Sequence, residues 1–269
     1  MDAQSTVTLH SNNKMPVMGL GSWQLTVDTP GIIEEALRLG YRMIDTSGDY
    51  GTQPGIGEGL KRSALDRSKY YIVTKVEETD DAYEATAANL KELQLDFADL
   101  MLIHRHPDSS EVSIKLWEGL IQAKTDALTR DIGVSNYSIA QIQELIDATG
   151  ETPVVNQIEW SPFGHSQEML EYCQSRGIVI QAYSPLTRTR RLDDVTLKDL
   201  SAMYQKTPAQ LLLRWNLQLG TVPIPKANKI EHLEENIQIF NFEIGDDDMA
   251  TLNGLNEGYS ALGSNLKYL

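Results

Sequence analysis

The sequence predicts an α/β protein, a parallel (β/α)8 TIM barrel with an N-terminal β-hairpin closing its bottom. Two observations carry this. Seven short apolar runs recur along nearly the whole chain, at 43–45, 71–75, 100–104, 132–136, 154–157, 178–183 and 221–226, and each ends in polar or ionisable residues. Strands of a parallel sheet are covered on both faces, so they read as near-continuous apolar runs whose last residue emerges from the core. Most of these runs are followed by a segment of helical spacing, which is the alternation of a barrel whose chemistry sits at the C-terminal strand ends. The 269 residues fit a single barrel domain over 1–269, since about 250 is usual.

The elements follow in order. Thr6-Val7-Thr8-Leu9-His10 and the polar Ser11-Asn12-Asn13-Lys14 read as a hairpin strand and its turn. Met18-Gly19-Leu20-Gly21 is then the first barrel strand. Thr29-Pro30 is expected to cap the first helix, which Gly40 closes. Ala87-x-x-Leu90-x-x-Leu93 has helical apolar spacing. Ser138-x-x-Gln141 and Thr207-x-x-Gln210 are capping boxes, the second with Pro208 at the first helical position. Gly177 ends the helix containing Cys173, the single cysteine, which excludes an intrachain disulfide. The units recur at roughly 25 to 30 residues, with one longer interval before Thr221.

The net charge of −15 lacks the basic footprint that nonspecific nucleic-acid binding needs. No apolar run approaches the roughly 18 residues of a membrane span, and the N-terminus has no secretory pattern. A cytoplasmic monomer acting on a small molecule is expected, with no nucleic-acid, membrane or metal partner.

An Asp, a Lys and a His end three successive strands, and Tyr50 lies just past the Asp. Carbonyl reduction needs a hydride donor, a proton donor and a group that holds the oxygen. An ordinary tyrosine, with a pKa of about 10, exchanges its proton poorly near neutrality. A nearby ammonium would lower that value, and Lys75 is placed to supply it, with Asp45 aligning Lys75 and His104 bonding the substrate oxygen.

The chain resembles the aldo-keto reductase superfamily from its hairpin to about Asn236. The matching stretches include Met15-Pro16-Val17-Met18-Gly19-Leu20-Gly21-Ser22-Trp23, Ile44-Asp45-Thr46-Ser47-Gly48-Asp49-Tyr50-Gly51, Val73-Thr74-Lys75, Leu102-Ile103-His104, Gly133-Val134-Ser135-Asn136-Tyr137, Asn156-Gln157-Ile158-Glu159, Ala182-Tyr183-Ser184-Pro185-Leu186 and Ile224-Pro225-Lys226. The resemblance implies a catalytic tetrad of Asp45, Tyr50, Lys75 and His104, with Tyr50 as the general acid in reduction. It implies NADPH as cofactor, with NADH possible, across the barrel top. Ser135, Asn136 and Gln157 match the carboxamide contacts, Tyr183 the aromatic on the nicotinamide, and Ser184 and Leu186 the pyrophosphate contacts. Lys226 matches the lysine near the adenosine phosphate, Glu235 and Asn236 the adenine contacts. Trp23 matches a substrate-pocket aromatic.

Several positions depart from the family pattern. Ala227 and His232 stand where a hydroxyl and an Arg are usual, which weakens the grip on a 2′-phosphate and leaves Asn228 and Lys229 as further candidates. Arg105 replaces an aromatic after His104. It either faces the pocket, where it would favour a polar or anionic substrate, or pairs with a surface acid. Asp49 adds polarity beside Tyr50. Arg188, Arg190 and Arg191 suggest a cationic clamp along the pyrophosphate path, and the short tail suggests an open site. Three other readings stand beside carbonyl reduction: imine reduction in the same site, a Schiff-base lyase using Lys75, and a cofactor-binding sensor or scaffold without robust turnover.

Overall fold

A computed structural model of the chain describes residues 1–263 and 265–269. Its strands are β1 (Thr6–Thr8), β2 (Lys14–Pro16), β3 (Leu20–Gly21), β4 (Met43–Asp45), β5 (Tyr71–Val76), β6 (Ala98–Ile103), β7 (Thr129–Ser135), β8 (Val155–Glu159), β9 (Val179–Tyr183) and β10 (Val222–Pro223). Its helices are α1 (Thr29–Leu39), α2 (Gln53–Arg62), α3 (Ala82–Leu93), α4 (Ser110–Thr125), α5 (Ile139–Thr149), α6 (Gln167–Ser175), α7 (Val195–Tyr204), α8 (Pro208–Gln218), α9 (Ile230–Ile237) and α10 (Asp246–Asn253). Strands β3 to β10 form one parallel eight-stranded sheet in sequence order.

The sheet closes on itself at β10. Pro223 and Pro225 have no amide hydrogen to give a ladder, so the regular strand stops after two residues. Their carbonyls still accept: Gly19 N–H donates to Pro223 O at 3.0 Å and Gly21 N–H to Pro225 O at 3.1 Å. A Cβ on Gly21 would stand 2.8 Å from Ile224 O, so this seam needs glycine.

Alternation along the strands sorts side chains into two layers. Met43, Tyr71, Val73, Leu100, Leu102, Val155, Val179 and Val222 pack together inside the barrel. Ile44 and Ile72 face α1, α2 and α9, while Met101, Ile103, Ile132, Val134 and Ile158 face the helices on the other side. The hairpin of β1 and β2 plugs the bottom, because its Leu9 and Met15 join the inner layer. Asn13 adds a hydrogen bond to the inward-facing Asp131 at 3.0 Å.

Both capping boxes form, at Ser138/Gln141 and Thr207/Gln210. Two local expectations are corrected. The cap of α1 is Asp28, whose carboxylate accepts from Gly31 N–H, while Thr29 is already helical and donates its hydroxyl to Leu25 O. Ala87 lies on the exposed side of α3, whose buried face is Ala82, Thr86, Asn89, Leu90 and Leu93. The long interval before β10 holds two helices, α7 and α8. No described helix is long and apolar enough to cross a membrane.

Candidate active site

The alternation that buries Met43 and Val73 also turns Asp45 and Lys75 inward at the top of the barrel. Asp45 pairs in register with Val73, so Lys75 sits one inward step higher and folds back onto the carboxylate. Its ammonium donates to Asp45 Oδ1 at 3.0 Å, Asp45 Oδ2 at 2.9 Å and Thr46 O at 2.7 Å. All three protons are thereby used in a fully buried place. A Schiff-base lyase needs a free amine at this position, so the geometry argues against that reading.

Tyr50 follows Asp45 on a short 3-10 turn, and Lys75 Nζ lies 5.2 Å from its ring centroid. The phenol oxygen is 3.5 Å from His104 Nε2. Burial is the main cause that pushes the phenol well above its ordinary pKa, followed by the charges of Asp45, Asp49 and Glu77, with Arg105 opposing. The net direction is upward, opposite to the effect expected of Lys75 alone, whose ammonium is paired with Asp45 at 2.9 Å. The neutral phenol is the form able to give a proton.

Around this pair lies a cavity of about 540 Å³. Trp23, Asp45, Tyr50, His104, Arg105, Ser135, Asn136, Gln157, Tyr183, Ser184, Leu186 and Lys226 all line it. Gln157 donates its amide to Asp45 Oδ2 at 2.7 Å and to Gln181 Oε1 at 2.6 Å, which leaves its own carbonyl oxygen for a ligand. Asn136 has φ 62, a left-handed conformation that Asn tolerates. Its amide donates to His104 O and Ser135 Oγ, and its oxygen accepts from the Tyr183 hydroxyl at 2.7 Å. The set is one connected polar wall.

The remaining candidates divide. Asn228, Lys229 and His232 line a second cavity, with Val27, Asp28 and Ile32 opposite. Ala227 packs in the apolar layer with Leu213, Leu217 and Leu233 and lines neither cavity. Glu235 accepts from the Thr207 hydroxyl, and Asn236 is buried; they also lie outside both linings. Of the three arginines only Arg188 faces the main cavity, stacked 4.4 Å over Trp23. Arg191 is ion-paired to Glu257 and stacked on Tyr259, so the three-arginine clamp is corrected to a single cation.

Arg105 reaches the cavity, yet its guanidinium is occupied. It bonds Glu77 at 2.8 Å, Glu78 at 3.2 Å and Asp49 at 3.2 Å. Both readings of Arg105 thus hold in part, and three carboxylates meet one guanidinium. Glu77 and Glu78 are site residues that the sequence alone did not single out. Glu77 was detectable, since it lies two residues past Lys75 and a strand repeats its inward face every second residue. Its carboxylate also accepts from the Ser47 hydroxyl and from His104 Nδ1. Burial would raise the Glu77 carboxyl, but His104, Ser47 and Arg105 together hold it below the ordinary range.

The C-terminal tail reaches the site more closely than its length suggests. Ser260 hydroxyl and Ala261 N–H both donate to the buried Glu159, each at 2.6 Å. Leu266 and Tyr268 are buried, and Leu262 and Lys267 line the cavity. Ser264, within the same tail, lies outside the described residues.

Comparison with known proteins places this barrel and its rim in a family. The profile of the Aldo/keto reductase family matches residues 17–257. An aldo-keto reductase of Mycobacterium sp. (strain MCS) is 38% identical over 258 residues, covering 94% of this chain and 91% of that protein. Among solved structures, an aldo/keto reductase from Brucella melitensis superposes with a TM-score of 0.89 at 35% identity, covering 93% of this chain and 99% of the other. The Bombyx mori aldo-keto reductase in complex with NADP gives 0.91 at 30% identity, covering 97% and 95%. The chain belongs to the aldo/keto reductase family, and it is accordingly an oxidoreductase.

Proposed function

We propose that this protein reduces an aldehyde or ketone to an alcohol with a nicotinamide cofactor, NADPH in preference to NADH. The observation that carries the reading is the convergence of Tyr50 and His104, 3.5 Å apart, over a buried Lys75–Asp45 pair at the wall of one cavity. Tyr50 is the general acid: its protonated phenol donates to the substrate oxygen as negative charge develops there. His104 orients that oxygen. Lys75 and Asp45 hold the floor rigid, and Gln157, locked by Asp45, presents its carbonyl oxygen to the cofactor's carboxamide. Ser135, Asn136 and Tyr183 complete that wall. When bound, the nicotinamide supplies the hydride.

The residues suit a phosphorylated dinucleotide. Among the described residues neither Lys226 nor Arg188 makes an ion pair, although the chain carries −15, and both face the cavity. Burial, then the neighbouring Arg188, holds the Lys226 ammonium below its ordinary pKa. Lys226→Ala and Arg188→Ala are expected to weaken NADPH more than NADH. Removing one charge-assisted hydrogen bond costs about 1.5–3 kcal/mol. Dissociation constants for both cofactors check this, and equal losses would detach these cations from the 2′-phosphate.

The substrate is proposed to be polar but not anionic. Asp49, Glu77 and Glu78 outnumber Arg105 beside the reacting position. A carbonyl compound bearing a carboxylate should therefore show a kcat/KM about 10-fold below its hydroxyl counterpart, a modest penalty for charges that solvent partly screens. A carboxylate preference would overturn this. The primary assay is a panel of aldehydes, ketones, ketoacids and cyclic imines, scored by loss of reduced-cofactor absorbance. Turnover of simple aldehydes separates the enzyme from a sensor, and preference for imines would select the alternative reaction in the same site.

A further inference from the structure

We propose that Glu77 is a positioning residue that fixes the His104 imidazole with its neutral-form proton on Nδ1. The inference rests on the reductase reading for its kinetic consequence, but not for its structural content. His104 Nδ1 lies 2.7 Å from Glu77 Oε1 and 2.9 Å from Oε2. An ionised carboxylate only accepts, so a nitrogen between both its oxygens must carry the hydrogen. The carboxylate is itself anchored: Ser47 donates to it at 2.9 Å and Arg105 at 2.8 Å. The ring is therefore held from behind by a group that cannot turn away without breaking three contacts.

The other nitrogen takes its role from this. In the neutral ring, Nε2 presents its lone pair to the Tyr50 hydroxyl, 3.5 Å away with the rings edge to face. His104 then accepts from Tyr50 and has no hydrogen for a substrate oxygen. It gains one only as the imidazolium, with Nδ1–H on Glu77 and Nε2–H pointing at the cavity. In that form it can also return a proton to Tyr50. The phenol gives its proton to the alkoxide, the phenolate takes the Nε2 proton, and the neutral imidazole is recharged from solvent. The charged and titratable groups that face the ring are Glu77 at the end of β5, Asp49 at 3.7 Å, Tyr50, and Arg105 on the far side of Glu77. The Lys75–Asp45 pair lies beneath Tyr50.

The test is nitrogen NMR of histidine-labelled protein, titrated to the neutral ring, with the His104 signals assigned by a His104→Gln variant among the five histidines. Wild type is expected to show Nδ1 protonated and Nε2 bare in the neutral form, and Glu77→Leu, which removes the acceptor, to shift His104 toward the Nε2–H form. Wild-type protein with Nε2 protonated, or a Glu77→Leu tautomer identical to wild type, would overturn the proposal. Kinetics supply the second readout. In Glu77→Ala kcat for reduction falls by roughly 10²-fold, the lower end for a positioned proton-transfer group. KM for the carbonyl stays within a few-fold, so the loss falls on kcat. Equal changes in kcat and KM would reduce Glu77 to a structural role. Failure of the whole carbonyl panel would sink the reductase reading, while the NMR result would still decide the role of Glu77.

Discussion

Tyr50→Phe is expected to lower kcat for carbonyl reduction by about 10²–10⁴-fold, the range for loss of one general acid, while leaving the cofactor's dissociation constant nearly unchanged. The phenyl ring keeps the packing of Tyr50 against His104 and over Lys75, so the change removes one hydroxyl and little else. The wall formed by Ser135, Asn136, Gln157 and Tyr183 is cross-linked within itself and to Asp45 and His104, and the Tyr50 hydroxyl is not one of its links. Cofactor binding should therefore survive. Steady-state rates beside a fluorescence titration of the reduced cofactor check both halves. Near-normal turnover in the variant would remove Tyr50 as proton donor and move that role to His104.

The second large effect is on stability. Lys75→Met should destabilise the fold by about 3–5 kcal/mol, because Asp45 would be left as a buried carboxylate without its cation. Gln157 still donates to Asp45 at 2.7 Å, but one amide replaces little of a doubly bonded ammonium. At roughly 2–3 °C per kcal/mol for a chain of this size, the melting temperature would drop by about 6–15 °C. Asp45→Asn should be comparably costly, since it strands the fully buried ammonium. Combining the two should recover much of the loss, because neither charge then lacks a partner. Thermal melts of the two single variants and the double variant form the cycle that measures it. Additive losses would mean that the pair interacts weakly and is held apart by its surroundings.

Much of the fold is legible in the sequence because strand and helix signals are local. The seven apolar runs each contain or overlap an observed strand, and both capping boxes form at the expected residues. Where expectation and structure part, a neighbour intervenes. Thr29 yields the cap of α1 to Asp28, which takes a left-handed conformation to reach Gly31. The last apolar run spans six residues, yet prolines at 223 and 225 leave only two in a regular ladder.

The site divides along the same line. Asp45, Lys75, His104, Ser135, Gln157 and Tyr183 lie at or within two residues of the C-terminal ends of successive strands, and period-two alternation turns each of them inward at one rim. That much follows from the sequence, since residue order and alternation fix direction without any distant contact. The tertiary structure alone decided which charges meet there. Arg105 is bound by Asp49, Glu77 and Glu78, which come from a turn and another strand end. Ala227 is absorbed into the apolar layer, and Arg191 is drawn to Glu257 instead of the cavity. Glu77 belongs to both accounts: alternation aims it inward, but only the parallel pairing of β5 with β6, with Val76 opposite Ile103, brings His104 Nδ1 to its carboxylate. The physical reason is that ion pairs and close packing depend on distances between segments far apart in the chain, which the barrel sets when it closes.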